Sequence, residues 1–219
     1  MQLRSSPKSL VTTRFSNVER HVDHVPFSSE PIGIDVGLNK FAVLSNGEEI
    51  DNPRHLRKKE KALQKAQRRL SKMKRFSNNW KRQLHKVQKI HLKVANQRKD
   101  FLHKASYRLA KVHSMICVED LNIRNMVKNK RLAKSINDAG WGTFRQMLHY
   151  KSEKCGGVFI VVSPQYTTQD CSSCGNRVRK SLSIRTHICK SCGTILDRDL
   201  NAAMNIKHAG LATIEPVST

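Results

Sequence analysis

Four cysteines fall into two matching turns, Cys171-Ser-Ser-Cys174-Gly175 and Cys189-Lys-Ser-Cys192-Gly193, with fourteen residues between the pairs. Each CxxC followed by glycine lets two thiolates converge on one cation while backbone amides point at the sulfurs. The interval is that of a zinc ribbon. With all four ligand positions filled, a Zn²⁺ ion here is structural, and in small peptides such an ion supplies roughly 10–16 kcal/mol of folding energy. Chance pairing of reduced thiols and a redox CxxC are the alternatives, and two copies at this interval argue against both. Cys117 and Cys155 stand alone and are expected to be buried packing residues.

Carboxylates are scarce, so their placement carries information. Asp35 interrupts the apolar run Ile32–Leu38, and Glu119 ends the apolar run Met115–Val118. Asp197 and Asp199 stand in Leu196-Asp-Arg-Asp-Leu-Asn-Ala-Ala, just before a helical segment. A carboxylate beside a core is costly unless a cation compensates it. That cation is either an Arg or Lys side chain or Mg²⁺, which takes oxygen ligands. Three acids converging from separate segments could hold two Mg²⁺ ions, one activating water and one stabilising the leaving oxygen of a phosphodiester. For any one acid alone the ion pair is the simpler reading. Taken with the paired cysteines and the charge of the chain, the metal reading is preferred.

The elements that must position these groups follow from hydrophobic periodicity. The segments 32–38 and 40–50 read as two or three strands, with Asn46-Gly47 as a hairpin turn. From Leu56 to Val112 apolar residues recur at intervals of three, four and seven, which is helical, and Ser77-Asn78-Asn79 breaks the pattern and offers an N-cap for a second helix. Residues 54–111 carry 21 Lys/Arg against two acids, Glu60 and Asp100. An ordinary solvated surface mixes both signs, so this basic hairpin reads as a track for nucleic-acid phosphates. Phe76 and Trp80 could stack on bases, but their helical spacing places them in the core. His91, His103 and His113 show no ligand spacing. A buried strand follows at 114–121, then a polar loop or broken helix to Asp138. A helix over 140–154 has Trp141, Phe144, Met147 and Leu148 on one face and ends at Gly156-Gly157. A second buried strand covers 158–162, and a last helix runs from Leu200 to about His208, stopped by Gly210.

The chain of 219 residues has 41 Lys+Arg, 17 Asp+Glu and a formal net charge of +24. Such a charge opposes compaction unless a polyanion neutralises it, which points to nucleic acid; an anionic membrane surface is the alternative. No apolar run is long enough to span a membrane, and the first 20 residues lack the apolar stretch of a secretory signal. The expected compartment is the cytoplasm, where paired cysteines favour metal over disulfides.

Gly33-Ile34-Asp35-Val36-Gly37, Val118-Glu119-Asp120-Leu121, the two CxxC pairs and Asp197-Arg198-Asp199-Leu200-Asn201-Ala202-Ala203-Met204-Asn205-Ile206 occur in the order seen in TnpB (OrfB-type) transposon-associated proteins. The chain resembles that family, and with it the type V CRISPR effectors, over about residues 31–210. The resemblance implies an RNA-guided DNA endonuclease: a guide RNA selects a DNA target, and a split RuvC site cuts it with Mg²⁺. Carried over by motif, the catalytic acids are Asp35, Glu119 and Asp199, with Asp197 second choice for the third position. The implied fold class is α/β: an RNase H-like (split RuvC) mixed sheet at 31–165 and 196–210, a basic helical-hairpin insertion at 54–113, a four-cysteine zinc ribbon at 166–195 and a tail at 211–219. Residues 1–30 read as a degenerate remnant of the longer N-terminal region that family members carry, so a truncated copy is expected. The alternative is a catalytically idle nucleic-acid-binding fragment or regulator from a decayed transposon.

Overall fold

The computed structural model describes residues 30–181 and 183–214. The remnant assigned to residues 1–30 therefore lies outside the described residues except for Glu30, and the tail assigned to 211–219 lies outside them from 215 on. Five strands form one mixed sheet: β1 Ile32–Val36, β2 Lys40–Leu44, β3 Glu49–Asp51, β4 Met115–Glu119 and β5 Val158–Val162, in the order β3-β2-β1-β4-β5. The meander β1-β2-β3 is antiparallel and turns at Gly47, as the Asn-Gly dipeptide predicts. β4 runs parallel to β1, pairing Ile34 with Val118, and β5 runs parallel to β4.

Alternate residues of these strands feed two different layers, as the period of two requires. Ile32, Ile34, Ile116 and Val118 join Phe41, Leu102, Leu109, Phe144 and Leu148 in the main core. On the opposite face Met115 and Cys117 pack with Val162 and Ile206. The first face is covered by α2 Asn78–Val112 and α5 Trp141–Lys154, the second by α6 Arg198–Ala212. The approach of α6 is close: a Cβ on Gly33 would lie 2.1 Å from the Ala203 carbonyl oxygen, and one on Gly210 would lie 2.2 Å from Cys117 Sγ. Gly210 is thus a packing residue inside the helix rather than its stop, and α6 continues to Ala212. β5 also departs from expectation. As the sheet edge it leaves Val158 and Val161 exposed, so it is not the second buried strand that its apolar run predicts.

The basic segment is a helical hairpin of α1 His55–Ser71 and α2. Leu63, Val87 and Val94 form its buried stripe, and Gln83 Nε2 donates to the Ala66 carbonyl across it (2.9 Å). Ser77 caps α2 as its position predicts, its side chain accepting from Trp80 N–H. α1 has no side-chain cap of its own. Instead Asp138 Oδ2 accepts from Leu56 N–H (3.0 Å), while Asp138 Oδ1 pairs with Arg98 of α2 (2.9 Å). Asp138 lies in α4 Ala133–Ala139, which with α3 Ile123–Met126 makes the broken helix ahead of α5. A small second sheet pairs β6 Thr186–Ile188 with β7 Ile195–Asp197, which leads directly into α6.

Candidate active site and metal centre

The four cysteines come together. Their sulfurs all lie within 4.8 Å of one another, with Cys171–Cys192 at 3.7 Å and Cys174–Cys189 at 3.6 Å. A tetrahedron with Zn–S bonds of about 2.3 Å has sulfur–sulfur edges of about 3.8 Å, so the four thiols stand close to the arrangement that ion requires. Both turns are built alike: Gly175 N–H donates to the Cys171 carbonyl and Gly193 N–H to that of Cys189, at φ of +75° and +76°. Hydrogen bonds from the Thr194 hydroxyl and amide, then from Cys174, pull Cys192 down to about 6. Cys174 is driven up to about 12 by its sulfur neighbours, against the Asn176 amide that pulls it down. Four thiols in such contact share protons and titrate as a unit, and a dication that replaces those protons removes the conflict. Of the two lone cysteines, Cys117 is fully buried and Cys155 partly so.

The acids also converge. Asp35 follows Ile34 in β1 and Glu119 follows Val118 in β4, and that registered pair puts the two acids side by side at the carboxyl ends of parallel neighbours. By the strand alternation both share the α6 face with Gly33 and Cys117. The first turn of α6 brings Asp199 to the same place. Burial, then the charges of Glu119 and Asp199, push the Asp35 carboxyl well above the ordinary carboxylate range, with Arg198 opposing and Asp197 adding less. Glu119 is likewise raised by burial, against a hydrogen bond from Thr167 Oγ1 to its Oε1 (2.5 Å).

Among the described residues neither Asp35 nor Glu119 has an ion-pair partner, whereas Asp199 has two. Arg198 Nη2 lies 2.9 Å from Asp199 Oδ1, and Arg185 Nη1 of the cysteine unit lies 3.2 Å from Oδ2. The compensating side chain expected for an isolated acid is therefore present at Asp199 only. Asp197 does different work. It is the N-cap of α6, its Oδ1 accepting from the N–H groups of Asp199 (2.8 Å) and Leu200 (3.2 Å).

Sequence reasoning missed the residues that join the two centres. Asn201 is fully buried; its Oδ1 accepts from Ser172 N–H (3.0 Å) inside the first cysteine turn, and its Nδ2 donates to the Asp170 carbonyl (2.8 Å). Asn205 Nδ2 donates to the carbonyls of Thr167 (2.8 Å) and Asp170 (2.7 Å). One helix thus straps the loop 167–172, and that loop carries both the first sulfur ligand and the hydroxyl that holds Glu119. The only signal was the Asp-Leu-Asn-Ala-Ala-Met-Asn run, whose two asparagines one turn apart share a helix face and can bond neighbouring backbone from it.

A mixed sheet whose parallel strands end in a cluster of carboxylates, strapped to four clustered thiols that could hold a metal ion, defines the class of protein. The OrfB IS605 family pattern, described as "Probable transposase", matches residues 16–130, and the pattern "Cas12f1-like, TNB domain" matches residues 141–206. The chain belongs to this TnpB-like OrfB family. It is 39% identical over 196 residues to a "Putative RNA-guided DNA endonuclease" of Streptomyces pristinaespiralis, covering 89% of this chain and 48% of that protein. It is 37% identical over 203 residues to the "Putative RNA-guided DNA endonuclease InsQ" of Escherichia coli (strain K12), covering 85% and 50%. The chain thus spans about half the length of these curated relatives. Two solved structures share the fold at 20% identity. One is a Cas12f1–sgRNA–target DNA complex (TM-score 0.56, covering 81% of this chain and 49% of that one). The other is a CRISPR-Cas12f ternary complex (TM-score 0.59, 89% and 40%). Among the described residues no helix is long and apolar enough to cross a membrane.

Proposed function

We propose that the chain carries the nuclease half of an RNA-guided DNA endonuclease of the TnpB type, in which Asp35, Glu119 and Asp199 form a RuvC-type site on an RNase H-like sheet. The observation that carries this reading is the pair Asp35–Glu119, two partly buried carboxylates on adjacent strand ends, facing a third acid from α6, with no cationic side chain paired to either among the described residues. An oxygen-only donor set of this kind suits Mg²⁺. Bound there, the ion would supply the charge neutralisation that phosphodiester hydrolysis needs. The protein's own part is to hold the donors: Thr167 fixes one oxygen of Glu119, Arg198 and Arg185 grip both oxygens of Asp199, and the Asp197 cap sets the start of α6. Asp199 is preferred to Asp197 because it acts more strongly on Asp35 and because Asp197 is already committed to the helix.

The nuclease domain is assigned to 31–165 and 196–210, with the hairpin at 54–113 inserted and the zinc-holding ribbon at 166–195. The hairpin supplies the surface for guide RNA and DNA target. Of its 21 Lys/Arg over 54–111, only Arg98, Lys104 and Arg108 have a carboxylate partner among the described residues. A concavity of about 400 Å³ on α1 is lined by Lys61, Gln64, Lys65, Arg68, Arg69 and Lys72. Cations with no internal partner favour phosphates, and the cytoplasm is the compartment proposed with this reading.

The test is cleavage of a DNA target with Mg²⁺ or Mn²⁺, a family-type guide RNA, and the N-terminal half of a TnpB-like relative supplied in trans. Cleavage is expected, and Asp35→Ala, Glu119→Ala or Asp199→Ala should each reduce it by orders of magnitude at an unchanged melting temperature. If the unmodified protein never cuts under these conditions, it is a binding fragment and the nuclease reading fails.

A further inference from the structure

The tip of the basic hairpin presents an aromatic pair that the fold does not use. Phe76 lies in the turn between α1 and α2 and is 74% exposed, the most exposed of the large hydrophobic residues described. Its helical spacing predicts a core position, and the structure overturns that expectation. Its φ of +65° is left-handed, a region that favours glycine and is strained for an aromatic residue. An apolar side chain held in strained backbone and in water is unfavourable twice over, and such outliers point to a function. The ring does not hang loose. Its centroid lies 5.5 Å from that of Trp80, tilted by 54°, and Trp80 is fixed by the Ser77 cap, whose Oγ accepts from Trp80 N–H at 3.2 Å.

What surrounds the pair identifies its occupant. Lys72, Lys74 and Arg75 precede Phe76, and Lys81 and Arg82 follow Trp80, and among the described residues none of the five has a carboxylate partner. A protein groove that covered the rings would have to be acidic as well to satisfy this rim. A nucleic-acid strand meets both demands at once, with phosphates for the cations and a base for the ring. From Asn78 to Phe101, where α2 joins the main core, the helix rises about 35 Å at 1.5 Å per residue. The pair is thus carried well clear of the sheet, at the far end of the proposed phosphate track.

We propose that Phe76, backed by Trp80, is a stacking platform for an unpaired nucleobase of a strand lying on the hairpin. This rests on the nucleic-acid reading of the hairpin given above. It adds a base contact to a surface that charge alone would make indifferent to bases. Each base stacked on an aromatic side chain strengthens binding severalfold to about a hundredfold, with little sequence preference.

The full chain is titrated with single-stranded DNA and RNA oligonucleotides and with abasic strands of the same backbone, following both affinity and Trp80 fluorescence. Trp141, the only other tryptophan, is buried. Base-bearing strands should quench the emission and abasic strands should not. Phe76→Ala should weaken base-bearing strands roughly 5- to 100-fold, leave abasic strands unchanged and keep the melting temperature, and Phe76→Trp should retain binding. The nucleic acid more weakened by Phe76→Ala, DNA or RNA, identifies the strand served. The platform is overturned if Phe76→Ala affects both strand types equally or neither, while Lys81→Ala with Arg82→Ala weakens both. It is also overturned if Phe76→Ala dissociates a self-associated form of the chain without changing nucleic-acid affinity. If the unmodified chain binds no strand at all, the phosphate-track reading falls with it, so the two failures are told apart.

Discussion

At the scale of single residues, the sharpest distinction lies between two aspartates two positions apart. Asp197 spends its carboxylate on the amides of Asp199 and Leu200, whereas Asp199 faces Asp35 and is gripped by Arg198 and Arg185. Asp197→Ala should therefore cost about 0.5–2 kcal/mol of stability, the usual loss for an N-cap, and Asp197→Asn should restore most of it. In both variants activity should follow the folded fraction. Asp199→Ala should leave the melting temperature nearly unchanged and remove cleavage. A thermal melt beside the cleavage assay reads both, and the reverse pattern would exchange the two roles. The sequence ranks Asp199 ahead of Asp197 by motif alone, because in an extended segment residues two apart face the same way. Only the observed start of α6 at Arg198 turns one into a cap and the other into a first-turn residue.

At the scale of elements, the cysteine unit and the acid cluster are one assembly, because the loop 167–172 serves both and α6 holds that loop. Asn201→Ala would strand the Ser172 amide in a buried site and leave the Asp170 carbonyl to Asn205 alone. The expected cost is roughly 1–3 kcal/mol, and because the same loop carries Thr167, cleavage should fall with it even at temperatures where the protein is folded. Elemental analysis should find one zinc per chain, and Cys189→Ser or chelation should destabilise the protein steeply and lower cleavage through the same strap. Activity unchanged in zinc-stripped protein would show that the two centres are independent. Much at this scale was legible in the chain. The Asn46-Gly47 turn, the Ser77 cap, the Trp141–Leu148 face and the two CxxC turns are local signals, each read within a few residues. What was not legible depends on contacts far apart in sequence. Gly210 marks a helix stop unless one knows that Cys117 lies against it, and Val158–Val162 reads as buried until the sheet order makes it an edge. Phe76 sits at helical spacing but in a turn.

At the scale of the whole molecule, the charge of +24 is concentrated where the fold has least need of it. The sheet and its acids form one end, and α1 with the first half of α2 forms a basic arm stabilised by the narrow stripe of Leu63, Val87 and Val94. If that arm engages 6–10 phosphates, affinity for nucleic acid should fall by about 10³–10⁵ between 50 and 200 mM salt. A flat salt response would reduce the arm to a solvated surface. The central claim, however, concerns the opposite end: that Asp35, Glu119 and Asp199 make one divalent-cation site, whatever guides it to DNA. The direct measurement is Mn²⁺ binding to the zinc-loaded full chain, followed by the electron paramagnetic resonance of the free ion. The account predicts binding that is lost in Asp35→Ala and in Glu119→Ala and weakened in Asp199→Ala, with zinc content and melting behaviour preserved in each. Binding retained at full strength in the Asp35→Ala, Glu119→Ala double variant would contradict it.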